Sequence, residues 1–305
     1  MSRLKGSLLP YEFCVLLCCL FWGIGNPIVK IGGEVLPPFL YASIRFSIAL
    51  LIFLLFCFRR ILKAVQTNPP GPVFLISFFN AAAYVLGCTS LFYVDATISS
   101  FLMSISVVFT PVVGLLLLKK RIQLWILPAI VVAVAGLYLI CGNTGQFSFG
   151  MGELFALLCS ISMAFAMVFA AKYGDRLDLA YLAAAQCLLA LVLSLPFFFL
   201  TETWVPFSAY TPRTIFSLLF TSILCSCLPF LLQNLALRHV SPTFVAITYV
   251  LEPVFTAIFS HLLIDEALSA TGMIGGGLII CGVALATLIQ NGILGKKTQK
   301  ETVAQ

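Results

Sequence analysis

The stretch LFYVDATISSFLMSISVVFTPVVGLLLLKKRI (Leu91–Ile122) returns 146 residues later, without a gap, as LRHVSPTFVAITYVLEPVFTAIFSHLLIDEAL (Leu237–Leu268). Val94 falls on Val240, Thr97 on Thr243, Val108-Phe109-Thr110 on Val254-Phe255-Thr256 and, further on, Gly136 on Gly282. The chain reads as an internal duplication. Its first copy closes on Lys119, Lys120 and Arg121, its second on Asp265 and Glu266. Lys and Arg collect in cytoplasmic loops, so a change of sign at equivalent points predicts that those points lie on opposite sides of a membrane. A repeat inserted in opposite senses is a signature of secondary transporters.

Composition agrees. Of 305 residues, 61% are hydrophobic and 9% charged, with a mean hydropathy of +1.11, a balance that excludes a soluble domain of this size. A span needs about 20 apolar residues to cross about 30 Å of hydrocarbon. Ten such runs are predicted near residues 11–31, 37–57, 72–93, 97–118, 123–142, 150–171, 179–200, 213–235, 242–264 and 269–290. Breakers mark the joints, among them Pro69-Pro70-Gly71-Pro72, Gly142-Asn143 and Ser241-Pro242. Five spans per copy is an odd number, so the second copy must enter the membrane upside down. The expected fold is an all-α polytopic membrane protein of ten transmembrane helices in a 5+5 inverted repeat. Residues 1–145 form the first repeat, 146–295 the second and 296–305 a cytoplasmic tail. The first helices of the two copies align at an offset of 141, placing Glu12 on Glu153, Leu16-Leu17-Cys18 on Leu157-Leu158-Cys159, and Arg45 on Gln186.

Alternate loops test the orientation. With the N-terminus inside, Arg3, Lys5, Arg59, Arg60, Lys63, Lys119, Lys120, Arg121, Lys172, Arg176, Arg238, Lys296, Lys297 and Lys300 fall on inner segments and Arg213 alone on outer ones. Lys30 and Arg45 lie within spans. Both ends are therefore expected in the cytoplasm, with the chain integral to the plasma (inner) membrane. Topology accounts for the net charge of +6, and no nucleic-acid partner is expected. Trp22-Gly23 and Asn26-Pro27 stand where a signal peptide would carry small cleavage-site residues, so the first apolar run reads as a span. Most of the eleven cysteines sit within apolar spans without metal-ligand spacing and read as small hydrophobes.

The motifs WGIGNPIVKIG (Trp22–Gly32), LPPFLYASIRF (Leu36–Phe46), ALRHVSPTFVAITYVLEPVFTAIFSHLLIDEAL (Ala236–Leu268) and GGLIICGVALA (Gly276–Ala286) resemble the EamA family of the drug/metabolite transporter superfamily, across essentially the whole chain. The resemblance implies a ten-helix carrier with both ends in the cytoplasm. Such a carrier moves small metabolites, often outward, through a central cavity between its halves. The first copy departs from the family pattern. KKRI (Lys119–Ile122) replaces a Gly-Glu-Arg-like turn, and Ser106-Val107 stand where the second copy has Glu252-Pro253.

Seven residues are candidates for contact with substrate or ion. Glu252 lies about ten residues into the ninth span, about 15 Å deep and near the midplane. A charge there costs roughly 2.5–3.5 kcal/mol on insertion scales, so the carboxylate needs a partner or a proton. Pro253 removes a backbone N–H beside it. Arg45 in the second span keeps its charge and must pair, snorkel or face water; pairing between helices competes with recognition of an anionic substrate group. Trp22, Gly23, Gly25, Asn26 and Pro27 are expected to interrupt the first span, with Asn26 offered to substrate and Trp22 as a cavity wall. Lys30 is expected to snorkel to the interface. Asn80 and Tyr84, one turn apart, share a face that would line the cavity, and Tyr249 lies close to the face of Glu252. Gln186, Gln233, Asn234, Ser104 and Ser106 can be satisfied by hydrogen bonds between helices, and Met103 and Met163 suit an adaptable pocket or plain packing.

These residues describe a secondary transporter, expected to export small metabolites such as amino acids or related amphipathic compounds. It would work by alternating access, with the proton as the candidate coupling ion. The rival reading is an amphiphile or lipid flippase, or an exchanger of larger metabolites, without proton coupling. An intramembrane enzyme would need paired carboxylates, a histidine motif or metal ligands at membrane depth, so no enzymatic activity is expected. Nothing calls for a cofactor or metal. The expected partners are a small-molecule substrate, protons and the lipid bilayer, with the chain a monomer or homodimer.

Overall fold

The computed structural model describes residues 8–119, 127–141, 150–266 and 270–290, among which no strand occurs. The helices are α1 (Leu9–Gly33), α2 (Pro38–Thr67), α3 (Pro70–Ser90), α4 (Ala96–Ser104), α5 (Ser106–Leu118), α6 (Leu127–Cys141), α7 (Met151–Tyr173), α8 (Leu179–Thr201), α9 (Pro212–Ser222), α10 (Leu228–Ala236), α11 (Pro242–Tyr249), α12 (Glu252–Ile264) and α13 (Ala270–Gln290). Eight helical stretches are long and apolar enough to cross a membrane: α1, α2, α3, Ala96–Leu118, Met151–Arg176, α8, Pro212–Ala236 and Pro242–Ile264. Of the ten expected spans, the remaining two correspond to α6 and α13, which carry the shorter apolar stretches Leu127–Gly136 and Met273–Ala286. The expected tail, the Gly142-Asn143 joint, and Lys120 and Arg121 lie outside the described residues.

The bundle wears its apolar side chains outward. Leu55, Phe56 and Leu200 are 78%, 84% and 81% exposed, while Gln186, Asn80, Ser160 and Thr256 are fully buried. Apolar side chains cover the surface as well as the core, and most of the buried polar groups find partners within the protein, a distribution that suits a hydrocarbon solvent. The helix α2 runs ten residues past the expected end near 57. Nothing in Phe58–Thr67 opposes helix, and the chain stops only at Pro69-Pro70, where the residue before a proline is pushed out of helical backbone.

The duplication reappears in backbone detail. The paired helices α4 and α5 break at Ile105, and α11 and α12 break at Val250-Leu251, the same point of the two copies at the 146-residue offset. Both pairs end on a residue in left-handed backbone: Lys119 (φ 51°) and Asp265 (φ 54°), again 146 apart, are the only positive-φ non-glycine residues among those described. L-residues enter that region at a cost of roughly 1–2 kcal/mol, so its recurrence at matching positions marks a shared chain reversal.

Packing exchanges helices between the halves. The first helix, α1, lies against α9, α10 and α12, and its counterpart α7 lies against α3 and α5. The helices α2 and α8 pair, as do α6 and α13. The α2–α8 pair is tied at both ends by reciprocal caps. Glu202, which follows α8, accepts from the backbone N–H groups of Phe39 and Leu40 at the start of α2, both at 2.8 Å. Asn68, which follows α2, accepts from the backbone N–H of Asp178 at the start of α8 at 2.9 Å. Each interaction satisfies donors that a helix N-terminus would otherwise leave unpaired. Burial pushes the Glu202 carboxyl up from its ordinary value, while the two N–H groups pull it back.

Two ends of the bundle follow from these contacts. At one, Tyr11 stacks on His239, Arg60 pairs with Asp178, and Arg238 donates to the carbonyl of Leu177. At the other, Lys30 pairs with Glu266 at 3.1 Å and lies 3.7 Å from Asp95. Lys30 thus meets a carboxylate from the far half of the chain at this end of the bundle. The expected interruption of the first span is absent, since α1 runs unbroken through Pro27. Its glycines serve close packing instead. A Cβ on Gly23 would collide with the Cβ of Phe255, and one on Gly25 with the Sγ of Cys225.

Candidate functional site

The irregular backbone sits in three other helices, and a central cavity forms beside it. The cavity is bounded by Trp22, Asn26 and Val29 of α1, Arg45 of α2, and Ala83, Tyr84, Gly87 and Cys88 of α3. Ser104 and Ser106 flank the first break, Tyr249 and Glu252 the second, and Cys159 and Met163 of α7 with Met103 complete the wall. Six of the seven predicted residues thus face one space: Trp22, Asn26, Arg45, Tyr84, Tyr249 and Glu252. Val29 and Leu91 carry the cavity towards the end of the bundle that holds Lys30.

Asn80 is the exception. It shares a face of α3 with Tyr84 but lies one turn, about 6 Å, further down the helix. There it is fully buried, with neither Nδ2 nor Oδ1 bonded. Face periodicity places a residue around a helix axis and says nothing about how deep a cavity reaches along it.

Arg45 is 5% exposed and has no carboxylate partner among the described residues. Its Nε donates to Ser226 Oγ at 2.9 Å and its Nη2 to the Cys225 carbonyl at 3.2 Å. The same carbonyl accepts from Trp22 Nε1 at 3.0 Å. The acceptor is free for a covalent reason. In α-helical register Cys225 O would bond the N–H of residue 229, which is Pro229 and has none. The segment Ile223–Cys227 relaxes into a π turn between α9 and α10, and two side chains from other helices take up the oxygen. Pro229 was a signal in the sequence for this site, as Pro253 was for Glu252.

Glu252 opens α12, half-buried at the cavity wall. Its Oε1 accepts from Asn26 Nδ2 at 3.0 Å, and the same amide donates to Thr256 Oγ1 at 3.0 Å. Thr256 Oγ1 in turn donates to Ser100 Oγ at 3.2 Å, so one polar chain joins α1, α12 and α4. No cation pairs with Glu252 among the described residues. The aromatic part of the wall is built from edge contacts of Trp22 with Tyr84 and Tyr249, at 5.7 and 4.9 Å between ring centroids. Tyr249 donates to Gln233 Oε1 at 2.9 Å below the cavity. Thr256, Ser100, Cys225 and Ser226 escaped prediction, because serine, threonine and cysteine inside an apolar run read equally well as packing.

A multi-pass helical membrane protein with a central cavity that is largely apolar but carries Arg45, Asn26 and Glu252 has the architecture of a membrane transporter. The chain belongs to the EamA-like transporter family, whose model matches it twice, at residues 9–142 and 150–288. Among similar proteins, an "Uncharacterized transporter" of Archaeoglobus fulgidus is 28% identical over 272 residues, covering 89% of this chain and 84% of its own length. A "Probable amino-acid metabolite efflux pump" of Salmonella typhimurium is 25% identical over 295 residues, covering 93% of this chain and 94% of its own. A solved crystal structure superposes with a TM-score of 0.77 over 95% of this chain and 100% of its own at 18% identity, a likeness of fold.

Proposed function

We propose that the chain is a secondary transporter of small metabolites, amino acids or related amphipathic compounds, which it exports by alternating access. The observation that carries this reading is the pairing of opposite chemistries on one cavity. Arg45 is anchored on one wall, and Glu252, without a cationic partner among the described residues, on another. A zwitterion would place its carboxylate towards the guanidinium and its ammonium towards Glu252, with an apolar side chain against Trp22, Tyr84, Met103 and Met163. When no ammonium is present, a proton on Glu252 would fill the same electrostatic role. The name of the Salmonella typhimurium relative supports the substrate class.

In this reading α6 and α13 also cross the bilayer, giving ten spans in two inverted halves, residues 1–145 and 146–295. The matching breaks and matching left-handed residues support it. The basic residues Arg60, Lys172 and Arg238 gather at the end where α1 begins, which supports cytoplasmic termini in the plasma membrane and a cavity open to the outside.

The test compares metabolites inside and outside cells expressing the wild type or Glu252→Gln at matched membrane abundance. Movement of one amphipathic class by the wild type alone is expected. Equal movement by both proteins at low and high external pH would make Glu252 structural. Movement only of lipids between leaflets would favour a flippase.

A further inference from the structure

Arg45 of α2 is clamped by Ser226 of the π turn at 2.9 Å. Across the duplication Arg45 corresponds to Gln186 on α8, 141 residues on, and Ser226 corresponds to Asn80 on α3, 146 residues back. The helix α3 packs against α8 much as α9 and the π turn pack against α2. The equivalent clamp between Gln186 and Asn80 is nevertheless unmade. Gln186 exchanges hydrogen bonds of 2.9 and 3.5 Å with Asn234 of α10. Asn80 stays buried with both ends of its amide unbonded. A buried primary amide without partners is destabilising, and two packings of the same helices can relieve it only if the second one bonds it.

We infer that Gln186 has two alternative partners: Asn234 in the conformation described, and Asn80 in the opposite one, where the halves have exchanged roles. The exchange releases Asn234 and Gln233, which then line a second, amide-rich vestibule at the end of the bundle where α1 begins. Gln233 now holds Tyr249 beneath the cavity, so its release opens the floor beside Glu252. An amide-lined vestibule receives the polar head of the substrate by hydrogen bonds rather than by charge. The inference rests on the alternating-access reading.

The chain carries its own reporters. Cys159 lines the central cavity, with its side chain buried at 3% exposure. Its counterpart across the 141-residue offset, Cys18, is fully buried, with Sγ 3.7 Å from the Pro229 carbonyl. Exchange of the halves exchanges their accessibility.

The full chain in lipid nanodiscs is treated with methyl methanethiosulfonate, and modification at Cys159 and Cys18 is measured by tandem mass spectrometry. Asn80→Leu removes the waiting partner and should raise the Cys159:Cys18 ratio about threefold, the effect of one interhelical hydrogen bond in a bilayer. Asn234→Leu should lower it by a similar factor. In a Gln186→Leu background both effects should vanish. Asn80→Ala and Asn234→Ala serve where a leucine variant fails to accumulate. The inference is overturned if the two substitutions shift the ratio in the same direction, leave it unchanged, or act undiminished without Gln186. Labelling that shifts as expected in a protein that moves no metabolite would keep the partner exchange and remove the transport reading.

Discussion

Trp22 and Arg45, from different helices, donate to one main-chain oxygen, that of Cys225, at 3.0 and 3.2 Å. The indole and the guanidinium are thereby held by a carbonyl that Pro229 leaves free, and not by any acidic side chain. Arg45 is thus positioned while its charge remains uncompensated by a carboxylate among the described residues.

Independence of Arg45 and Glu252 follows. Their bonded partners are disjoint, Ser226 and Cys225 for one and Asn26 for the other. Thermal unfolding of R45Q, E252Q and the double variant in detergent should therefore be additive to within about 0.5 kcal/mol without substrate. A larger coupling term would overturn that independence. Arg45→Lys should abolish transport while the protein still accumulates, because an ammonium cannot make the two directed bonds of the fork.

The clasp at the cavity end joins three segments. Glu266 accepts from Lys30 at 3.1 Å, from the backbone N–H of Ala96 at 3.1 Å and from Thr97 Oγ1 at 3.3 Å. The carboxylate therefore caps α4 and binds α1 at once. Glu266→Gln should cost about 1 kcal/mol of stability, the scale of a lost cap combined with a partly exposed ion pair. Raising salt from 0.05 to about 0.5 M should shrink the difference between wild type and Lys30→Met, and leave that between Glu266→Gln and Glu266→Ala largely intact. Equal sensitivity of both differences to salt would contradict the separation of ion pair from cap.

Asp178 supplies a pH signature outside the spans. Burial acts to raise its carboxyl, but the Arg60 guanidinium at 2.7 Å and the N–H groups of Tyr181 and Ala180 outweigh it and hold it below the ordinary 3.8. A carboxyl whose folded value is depressed contributes stability that is complete above its unfolded pKa and disappears as pH falls through the folded one. Asp178→Ala should thus lower the unfolding temperature at pH 7, by the equivalent of about 1 kcal/mol. The gap between variant and wild type should close progressively below about pH 4. A gap that stayed constant down to pH 3 would show that the charge of Asp178 plays no part.

Much of this was legible in the sequence, and the limits are physical. The offset of 146 residues found the repeat, and the two helix breaks, which the sequence did not announce, fall at its equivalent points. Glu252, Arg45, Asn26, Trp22, Tyr84 and Tyr249 stood out because polar and aromatic groups in an apolar run must be accounted for. The location of the irregular backbone was misjudged. Gly23, Gly25 and Pro27 resembled an interruption, yet in α1 they admit Phe255 and Cys225 at close range, while the breaks fall at Ile105, at Val250-Leu251 and in the π turn. Glycine permits both a break and a close approach, and only the neighbouring helix decides between them. The partner of Lys30 was hidden for a similar reason, since it lies 236 positions away.

Close approach also governs the α6–α13 pair. A Cβ on Gly136 would lie 2.6 Å from the Gly275 carbonyl, and one on Gly282 would lie 3.1 Å from the Ala129 carbonyl. Backbone atoms cannot swing aside as a flexible side chain can. Gly136→Leu should force the two helices apart and sharply reduce the amount of folded protein recovered from membranes. Gly277→Leu, where no atom lies within 4 Å of a built Cβ, should be tolerated. Equal yields from both would contradict the tight packing of this pair.

The bond between Asn26 and Glu252 makes the last prediction selective. The Asn26 amide spans Glu252 and Thr256, and Thr256 continues to Ser100, so the carboxylate is oriented by a neutral chain. Removing that chain and removing the charge should have different consequences. Glu252→Gln keeps the shape and loses the charge, and should cut transport by at least about tenfold with little change in stability. Thr256→Val keeps the charge and breaks the chain, leaving the Ser100 hydroxyl without its donor. It should lower stability by about 1–2 kcal/mol while transport per folded molecule falls only a few-fold. The decisive readout is the dependence of initial transport rate on external pH in proteoliposomes. Thr256→Val should retain the dependence of the wild type, displaced along the pH axis, and Glu252→Gln should abolish it. If Glu252→Gln kept the full pH profile, the titrating group would lie elsewhere, and the charge of Glu252 would serve the substrate alone.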